Sequence, residues 1–227
     1  MRRRGLDFWY RLGHVLARIF IPTFGSIEVV GRENVPPYGP LIIAPNHQSY
    51  ADPPVLVYAI ERPLWWMAKR ALFSNLLNAY FMRAAHVHPI DRDARDLGAL
   101  RWAQETLAAD RALVLFPEGT RSPGALSEAS DGLTYLALRS GAPILPVAIT
   151  GTERVRGMAK IAFHFQRLRV VIGEPFTLPV VEGRIGREVL HYPTDQVMER
   201  IAALLPPEYR GVYAGRPAEP ERGESVS

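Results

Sequence analysis

Cysteine is absent from all 227 residues, which excludes disulfide staples, thiolate nucleophiles and cysteine-held metal. Lysine is scarce: of the 27 basic residues only Lys69 and Lys160 are lysines, so cationic chemistry falls to arginine, whose planar fork grips phosphate through paired hydrogen bonds. No run reaches about 18 apolar residues, which excludes a bilayer-spanning helix. The N-terminal stretch lacks the unbroken apolar core and small-residue cleavage site of a signal peptide. No internal repeat or interdomain linker is visible, and the length fits one domain with a sizeable core. The missing cysteines agree with a reducing cytoplasm, and the formal net charge of +4 favours anionic partners.

What is present centres on Asn46-His47-Gln48-Ser49-Tyr50-Ala51-Asp52-Pro53. Leu41-Ile42-Ile43-Ala44 reads as a short buried strand that Pro45 ends, and Pro53-Pro54 suits the first turn of a helix. Five residues along one helix turn about 500°, leaving the side chains about 140° apart. For His47 and Asp52 to meet, the pair must therefore straddle a loop and a helix start. That places Asp52 at the helix N-cap, either capping the helix or turning back to one imidazole nitrogen of His47. An imidazole oriented in this way suits general-base removal of a hydroxyl proton near neutrality. The plainer alternative leaves Asp52 a cap and His47 a solvated loop residue.

A second cluster is Phe116-Pro117-Glu118-Gly119-Thr120-Arg121-Ser122. Residues 112–116 read as a buried parallel strand, and the following turn lies at its carboxyl end, where open α/β sheets place ligands. Arg121 can grip a phosphate, while Glu118 can accept from a hydroxyl or orient the arginine. The plainer alternative is a surface Glu118–Arg121 ion pair.

Taken together, the two clusters closely resemble the first and third motifs of the phospholipid and glycerol acyltransferase superfamily (PlsC-like). The second motif looks like residues 85–92 and the fourth like residues 142–149, in the family's order and spacing. The resemblance spans residue 30 to about 180. It implies His47 as general base and Asp52 as its orienting partner, with no covalent acyl-enzyme. It also implies acceptor binding by Arg92, Glu118, Gly119, Thr120 and Arg121, with Lys69 a further phosphate ligand. No cofactor is implied, because acyl-CoA or acyl-carrier protein serves as the acyl-donor substrate. Two departures stand out: Ala85 replaces a usual glycine, and residues 128–132 are acidic where many relatives carry a lysine. His86 and His88 have the spacing of a metal pair on a strand, with Asp91 as a third ligand. The family's chemistry needs no metal, so none is expected.

The first residues carry Arg2, Arg3, Arg4, Arg11 and Arg18 interleaved with Phe8, Leu12, Val15, Leu16 and Ile19 near helical spacing. This pattern fits an amphipathic helix lying in an anionic membrane surface, with Trp9 and Tyr10 as interfacial anchors. The alternative is an ordinary packing helix. A second apolar stripe (Leu72, Phe73, Leu76, Leu77, Tyr80, Phe81) is expected on a helix over 70–83 that enters the core; the alternative is an exposed stripe that extends the membrane-facing surface or lines an acyl-chain groove.

Strands expected near 26–31, 41–45, 64–68, 85–90, 112–116, 143–149 and 168–172 alternate with helices near 53–61, 70–83, 94–109 and 129–140, and a last helix over 193–204. The expected fold is an α/β single-domain layered sandwich with a mostly parallel or mixed sheet. Residues 1–22 form the membrane-surface helix, 23–205 the catalytic domain and 206–227 a flexible tail. The expected activity is O-acylation of lysophosphatidic acid to phosphatidic acid at the cytoplasmic face of the cell membrane, the protein being peripheral or monotopic. Another lysophospholipid or glycolipid acceptor, or a non-catalytic lipid-binding role, is the alternative. Nucleic acid is not an expected partner, for want of a recognised module.

Overall fold

Strand alternates with helix along most of the chain in the computed structural model, which describes residues 2–91, 96–155, 165–183 and 185–215. The elements are α1 (Arg2–Thr23), β1 (Ser26–Val30), β2 (Leu41–Pro45), α2 (Asp52–Ala59), β3 (Leu64–Lys69), α3 (Leu76–Ala84), β4 (Val87–Ile90), α4 (Leu97–Ala108), β5 (Ala112–Val114), α5 (Gly132–Ser140), β6 (Ile144–Thr150), β7 (Arg167–Ile172) and α6 (Arg187–Leu204). The strands form one sheet in the order β1-β7-β6-β2-β5-β3-β4. Every neighbouring pair is parallel except β6 and β7. The expected mixed α/β layer sandwich is therefore observed.

Helices cover both faces of the sheet. Leu133, Leu136 and Ala137 of α5, Ala103 and Leu107 of α4 and Val197, Met198 and Ile201 of α6 build one core, against Ile42, Leu113 and Ile144. Val55, Leu56 and Ala59 of α2, with Ile21 of α1, build the other, against Leu41, Ile43, Leu145 and Val147. All five residues of β2 are buried, because a central parallel strand meets a helical layer on each side. The connection from β2 crosses one face to β3, and that from β5 crosses the opposite face to β6. Adjacent strands whose connections part in this way open a crevice at their carboxyl ends.

Several boundaries differ from expectation, each for a local reason. Residues 70–83 are two elements: Arg70–Phe73 is a 3-10 turn, and α3 starts afresh where the Asn75 side chain accepts from the Asn78 N–H at 2.8 Å. The α3 stripe does not enter the core. Leu76 is 91% exposed, Leu77 66% and Phe81 43%, and only Ala79 and Ala84 are buried. The last helix begins six residues earlier than Pro193 and carries that proline inside it. Thr194 does not open it but is buried, donating to Thr134 Oγ1 at 2.9 Å.

The helix α1 grips the domain with the face opposite its large apolar stripe. Tyr10, His14, Ala17 and Ile21 point inward: Tyr10 accepts from the Leu64 N–H at 2.9 Å and stacks on His86, which stacks in turn on Trp65. Burial raises the Tyr10 phenol above its usual pKa. Tyr10 is thus an internal anchor rather than an interfacial one. At about 100° per residue, Phe8, Leu12, Val15, Leu16 and Ile19 fall within about 100° of one another, on the outward side. Of these, Phe8, Val15, Leu16 and Ile19 are exposed. Trp9 meets Phe81 of α3 edge to face, so the apolar surfaces of α1 and α3 adjoin.

The chain does not loosen at residue 206. Short 3-10 turns at Pro207–Tyr209 and Gly211–Tyr213 follow α6, and Tyr213 is buried. They fasten the segment after β5: the Leu126 N–H donates to the Tyr209 carbonyl and the Val212 N–H to the Leu126 carbonyl. Gly211 lies at φ +52 with the Leu126 carbonyl oxygen where a Cβ would stand, so no other residue fits there without displacement. Residues 216–227 of the expected tail lie outside the described residues.

Candidate active site

Both sequence clusters emerge at the carboxyl ends of neighbouring strands, the first after β2 and the second after β5. Asn46 fixes the first exit. Its side chain donates to the Ile149 carbonyl at 2.9 Å and accepts from the Ile149 N–H at 2.7 Å, stitching the end of β2 to β6.

Asp52 turns back to the histidine. Its Oδ2 accepts from His47 Nδ1 at 2.7 Å, from the Gln48 N–H at 2.7 Å and from the Ser49 N–H at 2.9 Å. It occupies the first helical position rather than the N-cap, which is Ala51, and makes no cap bond to its own helix. The buried Oδ1 has no hydrogen-bond partner among the described residues, so the compensation of a fully buried carboxylate rests on Oδ2. A carboxylate at Nδ1 selects the Nδ1–H tautomer and leaves Nε2 as the basic nitrogen. The other constraint is Phe116, whose ring stacks on the imidazole at a centroid distance of 3.9 Å. The His47 side chain retains 15% exposure, which leaves it within reach of a substrate.

Glu118 is not a surface residue paired with Arg121. At 7% exposure it points inward, and both oxygens are engaged. Oε1 accepts from the His47 N–H at 2.8 Å; Oε2 accepts from the Ser127 N–H at 3.0 Å and the Ser127 hydroxyl at 3.1 Å. The Ser122 N–H adds a bond to the His47 carbonyl at 2.8 Å, and the Gly124 N–H donates to the Gln48 side chain. The loops carrying the base and the arginine are therefore laced into one unit. Gly119, at φ +64, closes the tight turn through its N–H to the Phe116 carbonyl, and Thr120 is exposed beside it.

Arg121 lies with its Cζ 3.8 Å over the ring of Tyr50. Lys69 is exposed at the carboxyl end of β3, in register with Ile90 of β4. Arg92 lies outside the described residues. Ala85 adopts φ −84 and ψ 14, an ordinary conformation for alanine, and the left-handed backbone falls instead on His86, at φ 58. His86 and His88 do not converge: His86 stacks between Tyr10 and Trp65, and His88 on Trp102 of α4. Burial, with Arg70 nearby, lowers the His88 pKa against the opposing pull of Asp96. Among the described residues no cluster of three metal-binding side chains occurs.

The contributions of Tyr50, Phe116 and Ser127 are not foreseen by residue type. Phe116 reads as the end of a strand, although β5 stops at Val114. Ser127 gives no signal, since the bond it donates to Oε2 of Glu118 spans nine residues of irregular chain.

Comparison with known proteins places this geometry among relatives. A family model described as Acyltransferase matches residues 26–150. The chain is 25% identical over 188 residues to a 1-acyl-sn-glycerol-3-phosphate acyltransferase of Bacillus subtilis (strain 168), covering 82% of this chain and 92% of that protein. It is 29% identical over 174 residues to the chloroplastic 1-acyl-sn-glycerol-3-phosphate acyltransferase LPAT1 of Arabidopsis thaliana, covering 74% of this chain but 48% of that one. Among solved structures, the 1-acyl-sn-glycerophosphate (LPA) acyltransferase PlsC from Thermotoga maritima superposes with a TM-score of 0.69 at 26% identity, over 90% of this chain and 81% of that chain.

Proposed function

Since the chain belongs to the acyltransferase family and is PlsC-like, we propose that it moves a fatty acyl group from a thioester donor to the free hydroxyl of lysophosphatidic acid, forming phosphatidic acid. The observation that carries this reading is the lacing of His47 to the loop of Arg121 through Glu118 and the Ser122 N–H, which holds a base and a phosphate-binding cation on one body. The names of the Bacillus, Arabidopsis and Thermotoga relatives support the acceptor.

In the proposed step Nε2 of His47 takes the hydroxyl proton as the acceptor oxygen attacks the thioester carbonyl. The C–O bond forms and the C–S bond breaks. The departing thiolate recovers the proton from the imidazolium, which Asp52 stabilises through Nδ1. The attacking oxygen belongs to the substrate, so no residue of the chain is acylated. Arg121 meets the phosphate edge-on, and Lys69 and Arg92 are further phosphate ligands in this reading. Glu118 acts by positioning the backbone of His47 rather than by touching the glycerol.

The test supplies palmitoyl-CoA, and in a second arm palmitoyl-acyl-carrier protein, together with lysophosphatidic acid, lysophosphatidylcholine or monoacylglycerol, and reads thiol release and product mass. Phosphatidic acid is expected as the dominant product with at least one donor. Turnover of a different acceptor in preference, with none of lysophosphatidic acid, would refute the assignment.

No described helix is long and apolar enough to cross a membrane. We propose instead that α1 and α3 rest on an anionic bilayer surface at the cytoplasmic face. Support comes from the outward apolar stripe of α1, its adjacent Arg11 and Arg18, and the exposed Leu76, Leu77 and Phe81. Replacing Leu16 and Ile19 by Glu should leave the inward face intact and lower co-sedimentation with phosphatidylglycerol vesicles by about tenfold or more. Undiminished binding would assign the contact to another surface.

A further inference from the structure

Arg121 has an unusual setting for the cation of a phosphate site. Among the described residues its side chain forms no ion pair and no hydrogen bond, and its Cζ lies over the ring of Tyr50, 3.8 Å from the centroid. Tyr50 is half exposed, so the pair lies at the surface of the crevice rather than within the core. A guanidinium held face-down on a ring spends its π face and keeps its N–H edges available. Those edges are what a phosphate monoester engages through two parallel hydrogen bonds.

The ring's place is set by the residues that orient the base. Tyr50 lies between Ser49, whose N–H donates to Asp52 Oδ2 and whose hydroxyl accepts from the Ala51 N–H at 2.9 Å, and the helix start at Asp52. One carboxylate thus orients His47 and closes the loop that presents Tyr50. The arginine comes from the other loop, and the stack bridges the two across the crevice.

We infer that Tyr50 is a positioning residue for Arg121 and, through it, a determinant of specificity for acceptors with a phosphate monoester over those with a neutral or choline-capped headgroup. An unsupported arginine on an exposed turn samples many rotamers and loses that freedom on binding. The ring restricts it beforehand and aims its edge. This inference rests on the proposed role of Arg121 in acceptor binding, and its test separates the two.

Steady-state kinetics with lysophosphatidic acid as the varied acceptor are compared for the parent, Tyr50→Phe, Tyr50→Trp, Tyr50→Leu, Arg121→Ala and the Tyr50→Leu/Arg121→Ala double variant. Tyr50→Leu should raise KM about fivefold, equivalent to the ~1 kcal/mol of such a stack, with kcat within about twofold of the parent. Its preference for lysophosphatidic acid over lysophosphatidylcholine should fall by a similar factor. Tyr50→Phe and Tyr50→Trp keep a ring face and should match the parent. The double variant should be no worse than Arg121→Ala alone.

An unchanged KM in Tyr50→Leu beside a raised KM in Arg121→Ala overturns the inference and leaves the phosphate clamp standing. An unchanged KM in Arg121→Ala overturns the clamp itself. A loss of kcat at constant KM in Tyr50→Leu also overturns the inference, since it assigns the ring to the base loop. The ring-preserving variants keep the test valid if Tyr50→Leu folds poorly: a raised KM in folded Tyr50→Phe and Tyr50→Trp contradicts a role for the ring face.

Discussion

His47→Ala is expected to lower kcat by about 10³-fold, within the 10²- to 10⁴-fold range of general acid–base catalysis, with little change in KM for the acceptor. The expectation follows from geometry. Nδ1 is committed to Asp52 at 2.7 Å and the ring lies on Phe116, so Nε2 is held where it can take a proton. Asp52→Asn should reproduce most of the loss. An amide oxygen can still accept from the Gln48 and Ser49 N–H groups, but the charge facing the imidazolium is gone. Thiol release from palmitoyl-CoA in the presence of lysophosphatidic acid measures both. A His47→Ala enzyme turning over at the parental rate would remove the base from the proposed mechanism.

Glu118→Gln is the second change with a large expected effect, although the side chains are nearly the same shape. Each oxygen of Glu118 accepts from a backbone N–H, that of His47 on one side and that of Ser127 on the other. An amide has one accepting end, so its NH2 must face one of those donors and leave it unsatisfied. The expected loss of stability is about 1–3 kcal/mol, read by chemical denaturation. The His47 backbone is free to move when its N–H loses the acceptor, and kcat should fall by about 10²-fold, as for misplacements of about 1 Å in a catalytic group. Full activity with unchanged stability would show that the carboxylate does not hold the base.

The legible parts of the fold are those governed by short-range chemistry. The buried runs of β2 and β6, the Pro53-Pro54 helix start and the four-residue gap between His47 and Asp52 all have local causes, and the structure realises each. What escapes the sequence depends on partners far along the chain. The apolar stripe of α1 is legible, yet the domain is held by the other face, where Tyr10, Ala17 and Ile21 make a less conspicuous pattern. The α3 stripe carries a core-like pattern but finds no opposing layer and stays at the surface. Likewise, Glu118 reads as a substrate contact until its partner 71 residues away is seen to be the His47 N–H.

The fastening of Leu126 by Tyr209 and Val212 has a bearing on where the catalytic unit stops. Similarity to the family model ends at residue 150, but the polypeptide that shapes the arginine-bearing loop returns some sixty positions later, at Gly211. Trimming the protein to residues 26–150 would leave every motif in place and remove the strap that holds one of them in shape. The smallest piece able to do the chemistry is therefore longer than the stretch that the family model matches.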